Sequence, residues 1–292
     1  MKKTMRKIAS AFMAAAMAAS FLTACGGGNA ATGTSAAAGG TGDKKVLKVA
    51  MECSYAPYNW TQPTDSNGAI PISGSSDFAY GYDVMMAKKV AEELGYELEI
   101  VKLDWDSLVP AVQSGKVDCV IAGQSVTAER MQSVDFTNPY YYATIVTLVK
   151  TGEKYENAKS VADLSGATAT SQLNTIWYDN CLPQIPNADI QPAQESAPAM
   201  LVALSSGRCD VVVTDKPTGQ AALVAYPDFK LLDFTGTEGE FKVSDEDVNI
   251  GISLKKGNTE LKDALNEVLV KMNKDDFNKM MEEAISVQPL SQ

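Results

Sequence analysis

The chain has 292 residues, of which 45% are hydrophobic and 21% are charged, and it carries a formal net charge of −11. This length suffices for one large or two medium domains, and no basic patch stands out, which disfavours nucleic acid as a partner. Histidine is absent, which excludes Ser-His-Asp and Cys-His catalysis and disfavours a zinc site.

The first 24 residues have the pattern of a secretory signal peptide. Four basic side chains precede an apolar run at 8–22, which is too short to span a bilayer comfortably. The sequence Leu22-Thr23-Ala24-Cys25 resembles the lipobox of bacterial lipoproteins. That resemblance implies cleavage before Cys25 and a diacylglyceryl thioether on its sulfur. The alternative is an ordinary signal peptide followed by an incidental cysteine.

Residues 25–45 predict a flexible tether. They are mostly Gly, Ala, Ser and Thr, with almost no large apolar side chain to bury. Without residues 1–24, which hold four basic and no acidic side chains, the net charge becomes −15. The acidity is most simply a solubility property.

The first half of the body alternates predicted strands and helices. In chain order these are a strand at 46–51, a long loop or short hairpin at 59–79, a helix at 81–95 capped by Gly95, a strand at 98–101, a helix from 104 to 114 and a strand at 117–122. This alternation predicts a parallel sheet wound with helices.

Polar groups suited to an anion follow the strand at 117–122. Gly123 ends the strand, Ser125 follows, and Thr127 is a helix N-cap signal shortly before Arg130. Free N–H groups of a helix start and a guanidinium fork suit a carboxylate or a phosphate. The alternative is a strand end followed by a surface arginine.

The second half repeats the alternation. The predicted elements are strands at 143–150, 167–171, 188–191, 209–214 and 248–254, and helices at 160–164, 175–182, 196–206, 216–226, 259–273 and 275–285. A helix end, a Ser-Gly-basic turn and a strand occur at 111–121 and again at 203–213. This echo is short enough to arise by chance, but it also fits two similar lobes around a shared cleft.

Four cysteines follow Cys25. Cys119 and Cys209 lie in apolar runs typical of buried thiols. No CxxC pair is present, and a Cys181–Cys209 disulfide stays an open alternative because spacing does not establish connectivity.

The strand ends together suggest a receptor for a zwitterion. Arg130 and its neighbours suit an anion, whereas Asp215 suits an ammonium group. Glu52 lies at a third strand end. The aromatic side chains of Tyr55, Tyr58 and Trp105 are expected at the mouth of the first lobe. The free amino acid is the commonest small zwitterion.

From residue 46 to the C-terminus, the chain resembles the extracytoplasmic solute-binding proteins of polar amino-acid ABC transporters (solute-binding family 3). The motifs that carry the resemblance are Tyr55-Ala-Pro-Tyr58, Gly81-Tyr82-Asp83-Val84, Asp104-Trp105-Asp106, Ser114-Gly-Lys-Val-Asp118, Thr127-Ala-Glu-Arg130 and Val134-Asp-Phe-Thr137. The resemblance implies the type II periplasmic-binding-protein fold, an α/β fold of two Rossmann-like lobes joined by two hinge strands, with the ligand cleft between them.

The resemblance also implies roles for individual residues. Arg130, with Ser125 and the backbone near Gly123, would bind the ligand α-carboxylate, and Asp215 would bind the α-ammonium. The side-chain contacts would come from Tyr55 and Trp105 as a sandwich, and from Glu52, Gln172 and Thr175. The second-lobe turn departs from the family because Asn174 replaces the usual glycine, although Asn tolerates the left-handed conformation. Trp105 as a structural residue, Asp215 as a helix cap and Glu52 facing solvent stay open alternatives.

We therefore expect a membrane-anchored, monomeric receptor with no cofactor, no metal and no catalytic residue. The expected domains are a first lobe at 46–142 and 250–292 and a second lobe at 144–248. Its partners would be a free amino acid and an ABC permease with its ATPase, and it would meet the membrane only through lipidated Cys25. Lysine, arginine, histidine and glutamine all stay open as ligands. The alternatives are a cleft enzyme of the same fold (a dehydratase or lytic transglycosylase relative) and a sensor module, which the lack of a transmembrane segment after the body disfavours.

Overall fold

The computed structural model describes residues 45–289. The predicted signal peptide, the lipidation site at Cys25 and all but the last residue of the predicted tether lie outside these residues. Within 45–289, no helix is both long and apolar enough to cross a membrane.

Fourteen strands in the described residues form three sheets. In chain order they are β1 Val46–Met51, β2 Ser54–Tyr55, β3 Asn59–Gln62, β4 Ile70–Pro71, β5 Phe78–Tyr80, β6 Glu97–Lys102, β7 Cys119–Val120, β8 Val134–Tyr142, β9 Ile145–Lys150, β10 Thr168–Thr170, β11 Asp189–Ile190, β12 Val211–Asp215, β13 Phe229–Leu232 and β14 Asn249–Lys255.

Eight α-helices accompany them in the same part of the chain. These are α1 Tyr82–Leu94, α2 Leu108–Ser114, α3 Ala128–Ser133, α4 Ala197–Ser205, α5 Lys216–Ala225, α6 Asp245–Val248, α7 Thr259–Leu269 and α8 Lys274–Val287. The predicted glycine cap of α1 is confirmed. Gly95 takes the left-handed conformation after α1, and the Ser196 hydroxyl accepts the Ala199 N–H at the start of α4.

The first lobe is built on a five-stranded sheet in the order β6-β1-β7-β14-β8. β1 pairs in parallel with β6 and β7, as the alternation of strands and helices predicted. β14, predicted from the sequence as a strand at 248–254, runs antiparallel to both β7 and β8. β14 returns from the second lobe, so it enters the sheet from the opposite direction to β1.

The segment 59–79, expected as a long loop or short hairpin, contributes β3, β4 and β5 to a small antiparallel sheet in the order β2-β3-β5-β4. Trp60 on β3 lies opposite Tyr80 on β5, and their rings pack edge to face at 5.4 Å. Aromatic cross-strand pairs of this kind stabilise short antiparallel ribbons. The segment therefore forms a cover on the first lobe next to the Tyr55 turn.

The second lobe is built on a sheet in the order β11-β10-β12-β9-β13. β10 is parallel to β11 and β12, whereas β9 is antiparallel to both β12 and β13. The two sheets have matching patterns of three parallel strands followed by an antiparallel pair, which agrees with the sequence echo. The chain enters this lobe between β8 and β9 and leaves it before β14.

One further prediction needs correction, and one open alternative is decided. The helix expected at 175–182 is a five-residue π-helix, Trp177–Cys181, followed by the short 3-10 turn Leu182–Gln184. Pro183 cannot donate a backbone hydrogen bond, so a regular α-helix cannot continue through it. The Cys181–Cys209 disulfide is absent: Cys53, Cys119, Cys181 and Cys209 are all free and buried.

Candidate functional site

Strand ends of the two lobes face each other across a cleft. β1 runs into Glu52, β7 is followed by Gly123, and β12 ends at Asp215. Short hydrogen bonds cross the cleft beside these ends. The Tyr55 hydroxyl donates to Asp215 Oδ2 at 2.6 Å, and Arg130 Nη2 donates to the Asn174 carbonyl at 2.6 Å. Ligands in open α/β folds bind at such strand ends.

Asp215 is a buried carboxylate held at the start of a helix. Its Oδ1 accepts the backbone N–H of Thr218 at 2.9 Å, so it is the N-cap of α5 as well as a cleft residue. Burial raises its pKa, against the hydrogen bonds from Thr218 and Tyr55 that favour the charged form. Within residues 45–289, no lysine or arginine forms an ion pair with Asp215. A cationic group would therefore complete its surroundings.

Arg130 carries the opposite charge to Asp215. Its guanidinium is partly buried and forms no ion pair with a carboxylate among the described residues. Thr127 caps α3 by accepting the Arg130 N–H, which fixes the arginine at the first turn. Nη1 donates to the Ser125 carbonyl at 2.9 Å, and the guanidinium lies 5.4 Å from the centre of the Trp105 ring. Burial lowers its pKa to about 10, so it stays charged at neutral pH.

The guanidinium of Arg130 has N–H donors that no acceptor in the described residues uses. An arginine side chain carries five N–H donors. Two protein acceptors take one hydrogen bond each, namely the carbonyls of Ser125 and Asn174. The remaining donors suit the two oxygens of a carboxylate, which a guanidinium binds in bidentate geometry.

Tyr55 and Trp105, which were predicted to sandwich the ligand side chain, have different neighbours in the structure. Tyr55 is only 2% exposed and stacks on Tyr58 with ring centres 4.8 Å apart. Trp105 is also buried and packs on Arg130. Trp177 of the second lobe approaches Tyr55 at 6.4 Å. The sequence prediction missed Trp177, although its place two residues after Thr175 in an expected cleft helix was a usable signal.

Five buried side chains in the described structure carry an atom without a hydrogen-bond partner, and three of the five bear on the ligand side chain. These three atoms are Glu52 Oε2, Gln172 Nε2 and Thr214 Oγ1. The other carboxylate oxygen of Glu52 accepts the Ser54 hydroxyl at 2.9 Å. Burial raises the pKa of Glu52, while Ser54 and the nearby Gln172 amide oppose that shift. A buried polar group left unpaired costs about 1–3 kcal/mol, so these atoms suit a polar ligand group.

The predicted site residues Gly123 and Thr175, and their neighbour Gln124, make hydrogen bonds within the protein. The Gly123 N–H donates to the Tyr140 hydroxyl at 3.0 Å. The Thr175 hydroxyl donates to the Gln172 carbonyl at 2.6 Å, within the turn that Asn174 allows by taking a φ of 56°. Gln124, in the middle of the anion motif, accepts the Ser253 hydroxyl from β14. These bonds organise the cleft walls.

Two cavities adjoin the site, each lined by both lobes. The larger, of about 840 Å³, is bordered by Arg130, Trp105 and Asn174. The smaller, of about 310 Å³, is bordered by Ser54, Trp60 and Thr218. Both volumes fall in the range of small-molecule sites.

The arrangement has a counterpart in known proteins. The family model described as "Bacterial extracellular solute-binding proteins, family 3" matches residues 47–285. The chain belongs to this family. The family resemblance of the sequence motifs is therefore confirmed, as is the two-lobed α/β fold of type II periplasmic binding proteins.

Individual members of the solute-binding family resemble the chain in sequence and in fold. A probable histidine-binding protein of Campylobacter jejuni is 31% identical over 227 residues, which is 77% of this chain and 79% of that protein. The arginine-bound substrate-binding protein AbpA of an amino acid ABC transporter from Streptococcus pneumoniae has a TM-score of 0.68 at 27% identity, covering 82% of this chain and 94% of the other. The ancestral amino acid-binding protein AncCDT-1, described as a precursor of cyclohexadienyl dehydratase, has a TM-score of 0.66 at 31% identity, covering 82% and 95%.

Proposed function

We propose that this chain is an extracytoplasmic receptor that binds a free amino acid between its lobes and delivers it to an ABC importer. One observation carries the proposal. A partly buried guanidinium, Arg130, and a buried carboxylate, Asp215, belong to facing lobes, and neither forms an ion pair among residues 45–289. A zwitterion satisfies both at once, because charges removed from water need paired, hydrogen-bonded partners.

The proposed roles follow from chemistry and position. Arg130, with Ser125 and Gly123 beside it, binds the α-carboxylate, and Asp215 binds the α-ammonium. Tyr55 and Trp105 form apolar walls that exclude water and strengthen both electrostatic contacts. Thr175 contributes from the second lobe, where its hydroxyl and Asn174 shape the turn next to Arg130.

The ligand side chain is proposed to be polar or cationic. Glu52, Gln172 and Thr214 supply one acceptor, one amide donor group and one hydroxyl that lack protein partners within the described chain. The carboxylate of Glu52 suits a guanidinium, ammonium or imidazolium group. The relatives described above, a probable histidine-binding protein and an arginine-bound protein, support the same class.

Ligand binding is proposed to close the lobes about the two segments that join them, near 142–144 and 248–250. The lobe bounds are proposed as 46–142 with 250–292, and 144–248. Each charged end of the ligand contacts a different lobe, so binding favours the closed arrangement over the open one. The closed monomer would be read by a membrane permease with its ATPase.

The attachment to the membrane is proposed from the sequence. Cleavage before Cys25 and lipidation of its sulfur would tether the receptor to the outer side of the bacterial cell membrane through residues 25–45. Mass spectrometry of the mature protein checks this: a diacylglyceryl mass on an N-terminal Cys25 peptide supports the anchor, and an unmodified peptide contradicts it.

A thermal-shift screen of the twenty amino acids tests the binding function. Ligand at 100 times its Kd adds about 2.7 kcal/mol to the free energy of unfolding, which raises the melting temperature measurably. Arg130→Ala should weaken binding by about 2–5 kcal/mol, because it leaves a buried ligand carboxylate unpaired. Arg208→Ala is the matched control, since Arg208 is exposed and its side chain bonds only Ser206. No shift with any amino acid, or native affinity in Arg130→Ala, contradicts the proposal.

Absence of catalysis is part of the proposal. Glu52 is the one group that favours the enzyme alternative, because a buried carboxyl with a raised pKa suits a general acid. Incubating the protein with its ligand and following the ligand by mass spectrometry separates the two functions. Recovery of intact ligand supports a receptor, whereas conversion that Glu52→Gln abolishes supports an enzyme.

A further inference from the structure

A buried hydrogen-bond network lies behind the cleft in the first lobe. Its centre is Asp83, which is fully buried in the first turn of α1. Asn59 Nδ2 donates to Asp83 Oδ2 at 2.7 Å, and the Tyr140 hydroxyl donates to Asp83 Oδ1 at 2.6 Å. Asp83 therefore uses both of its oxygens, although no cation pairs with it within residues 45–289.

Both partners of Asp83 hold backbone at the cleft. Asn59 Oδ1 accepts the N–H of Cys53 at 2.6 Å, immediately after Glu52. The Tyr140 hydroxyl accepts the N–H of Gly123 at 3.0 Å, two residues before Ser125. One carboxylate thus orders, through two side chains, the two loops that carry the first lobe's proposed ligand contacts.

The network also reaches the segment between the lobes. Tyr140 lies on β8, two residues before that strand ends at Tyr142, and its own carbonyl accepts the Tyr82 hydroxyl. The rings of Tyr82 and Tyr140 stack with centres 5.7 Å apart. The Tyr140 side chain is therefore held in place both by its backbone carbonyl bond to Tyr82 and by the stacking of the two rings.

We propose that Asp83 is a positioning residue for the amino-acid site, acting through Asn59 and Tyr140 on the Cys53 and Gly123 loops. This inference rests on the proposed binding function. Asp83 makes none of the proposed ligand contacts. Its contribution is to keep two donors oriented, so that Glu52 and the Gly123–Arg130 segment keep their spacing.

The geometry of the network provides a sharp test. In Asp83→Asn, the new amide N–H₂ faces either the Asn59 amide donor or the Tyr140 hydroxyl, so one bond of the network is lost. In the double exchange Asn59→Asp with Asp83→Asn, the carboxylate and the amide trade places. The carboxylate at position 59 then accepts from the Cys53 N–H and from the amide at position 83, whose carbonyl accepts from Tyr140. In the double exchange every donor of the network therefore faces an acceptor again, and the cluster keeps one negative charge.

The first measurement is the dissociation constant, by titration calorimetry, of the amino acid that gives the largest thermal shift. Asp83→Asn should raise Kd about tenfold, since hydrogen bonds to charged groups are worth about that much. Tyr140→Phe should act in the same direction, and adding Asp83→Asn to it should cost less than the two separate changes together. The double exchange should recover most of the affinity. Asp118→Asn is the control, because Asp118 accepts the Lys48 N–H in the middle of β1 and makes no bond with the Asp83 network.

The second measurement is amide hydrogen exchange at Gly123 in the unliganded protein, read by NMR. Exchange should accelerate in Asp83→Asn and Tyr140→Phe and slow again in the double exchange. Lower stability with unchanged Kd and unchanged Gly123 exchange in Asp83→Asn overturns the proposal, as does a folded double exchange that restores neither. If the wild type binds no amino acid, the proposed function fails while the exchange data still decide whether Asp83 positions Gly123.

Discussion

The Tyr55 hydroxyl donates a 2.6 Å hydrogen bond to Asp215 Oδ2, and this bond joins the first lobe to the second. Thr218, in the first turn of α5, donates its own hydroxyl to the same tyrosine oxygen at 3.3 Å. Tyr55 in turn stacks on Tyr58 and lies against Gly123. The carboxylate proposed to bind the ligand ammonium is therefore coupled directly to the strand ends of the opposite lobe.

Tyr55→Phe should move the acid limit of amino-acid binding to higher pH. Burial raises the pKa of Asp215, and the Tyr55 bond opposes that rise by favouring the carboxylate. Removing the hydroxyl raises the pKa of Asp215 further. Since only the charged form holds an ammonium group, binding is lost as pH falls through this pKa, and the midpoint of the loss moves up. Calorimetric Kd values between about pH 4 and 8 measure it, a range that spans the ordinary and raised values of a carboxyl pKa.

The control for this shift is Tyr80→Phe. The Tyr80 hydroxyl bonds Glu283 in the first lobe at 3.4 Å and makes no bond with Asp215. We expect the acid midpoint of binding in Tyr80→Phe to match the wild type. An unchanged midpoint in Tyr55→Phe would show that the tyrosine does not set the protonation of Asp215.

Asp83 should make the protein lose stability as pH rises from about 4 to 6. Burial raises its pKa from 3.8 to about 6, so in this window the folded state binds more protons than the unfolded state. Its contribution is thus present at low pH and is lost as pH rises through the folded pKa. One pKa unit corresponds to about 1.4 kcal/mol, so the full effect is about 3 kcal/mol.

Urea unfolding of the wild type and Asp83→Asn between about pH 4 and 7 measures this contribution. Glu52 and Asp215 also have raised pKa values, so they too lower the free energy of unfolding as pH rises, and they do so equally in both proteins. The difference between the two proteins therefore isolates Asp83: it should change by a few kcal/mol across the window. A difference that is constant with pH contradicts the assigned protonation.

The sequence predicted the strand ends and helix caps well, because these depend on neighbouring residues. Thr127 accepts the backbone N–H three residues later, as its N-cap pattern predicted, and Ser160 and Ser196 cap their helices in the same way. Asn174 takes the left-handed conformation that the turn requires. Such features are set within one turn of chain, where sequence patterns are most direct.

Features that depend on distant pairing were missed. β8 escaped prediction because Asn138 and Pro139 interrupt its alternating pattern, and its partner β14 lies more than 100 residues away. β13, Phe229–Leu232, was missed because it is short and follows a proline. The Asp83–Tyr140 bond joins residues 57 positions apart, so the motif at 81–84 identified Asp83 but did not indicate its partner or its role.

Gly123→Ala should destabilise the fold and weaken ligand binding. Gly123 has a φ of 61°, and a Cβ there would stand 2.7 Å from Cε1 of Tyr55 and 3.2 Å from Cγ of Tyr58. Gly95→Ala is a matched control, since Gly95 has a φ of 69° but open space around its added Cβ. Both variants lose about 1–2 kcal/mol to the left-handed backbone. Thermal melts should show a larger loss for Gly123→Ala, and only that variant should raise Kd; equal losses contradict the contact with Tyr55.

Glu52→Gln should change which amino acids bind more than it changes stability. The substitution keeps the shape and removes the negative charge, so a cationic ligand loses a charge-assisted hydrogen bond worth about 1.5–3 kcal/mol. Kd for lysine or arginine should therefore rise about ten- to hundredfold, whereas Kd for glutamine should change little. Removing a buried charge also relieves its desolvation, so the melting temperature should be unchanged or higher.

The control for Glu52 is Glu99→Gln, which removes a carboxylate from an exposed pair with Lys48 at 3.4 Å. Exposed pairs contribute about 0–1 kcal/mol, and Glu99 lies on β6 away from the proposed contacts, so all affinities should stay at wild-type values. Competition titrations of the three amino acids against each variant give the selectivity directly. Equal weakening of lysine, arginine and glutamine in Glu52→Gln would place Glu52 at the common α-amino end of the ligand, because only a group that meets the side chain discriminates between them.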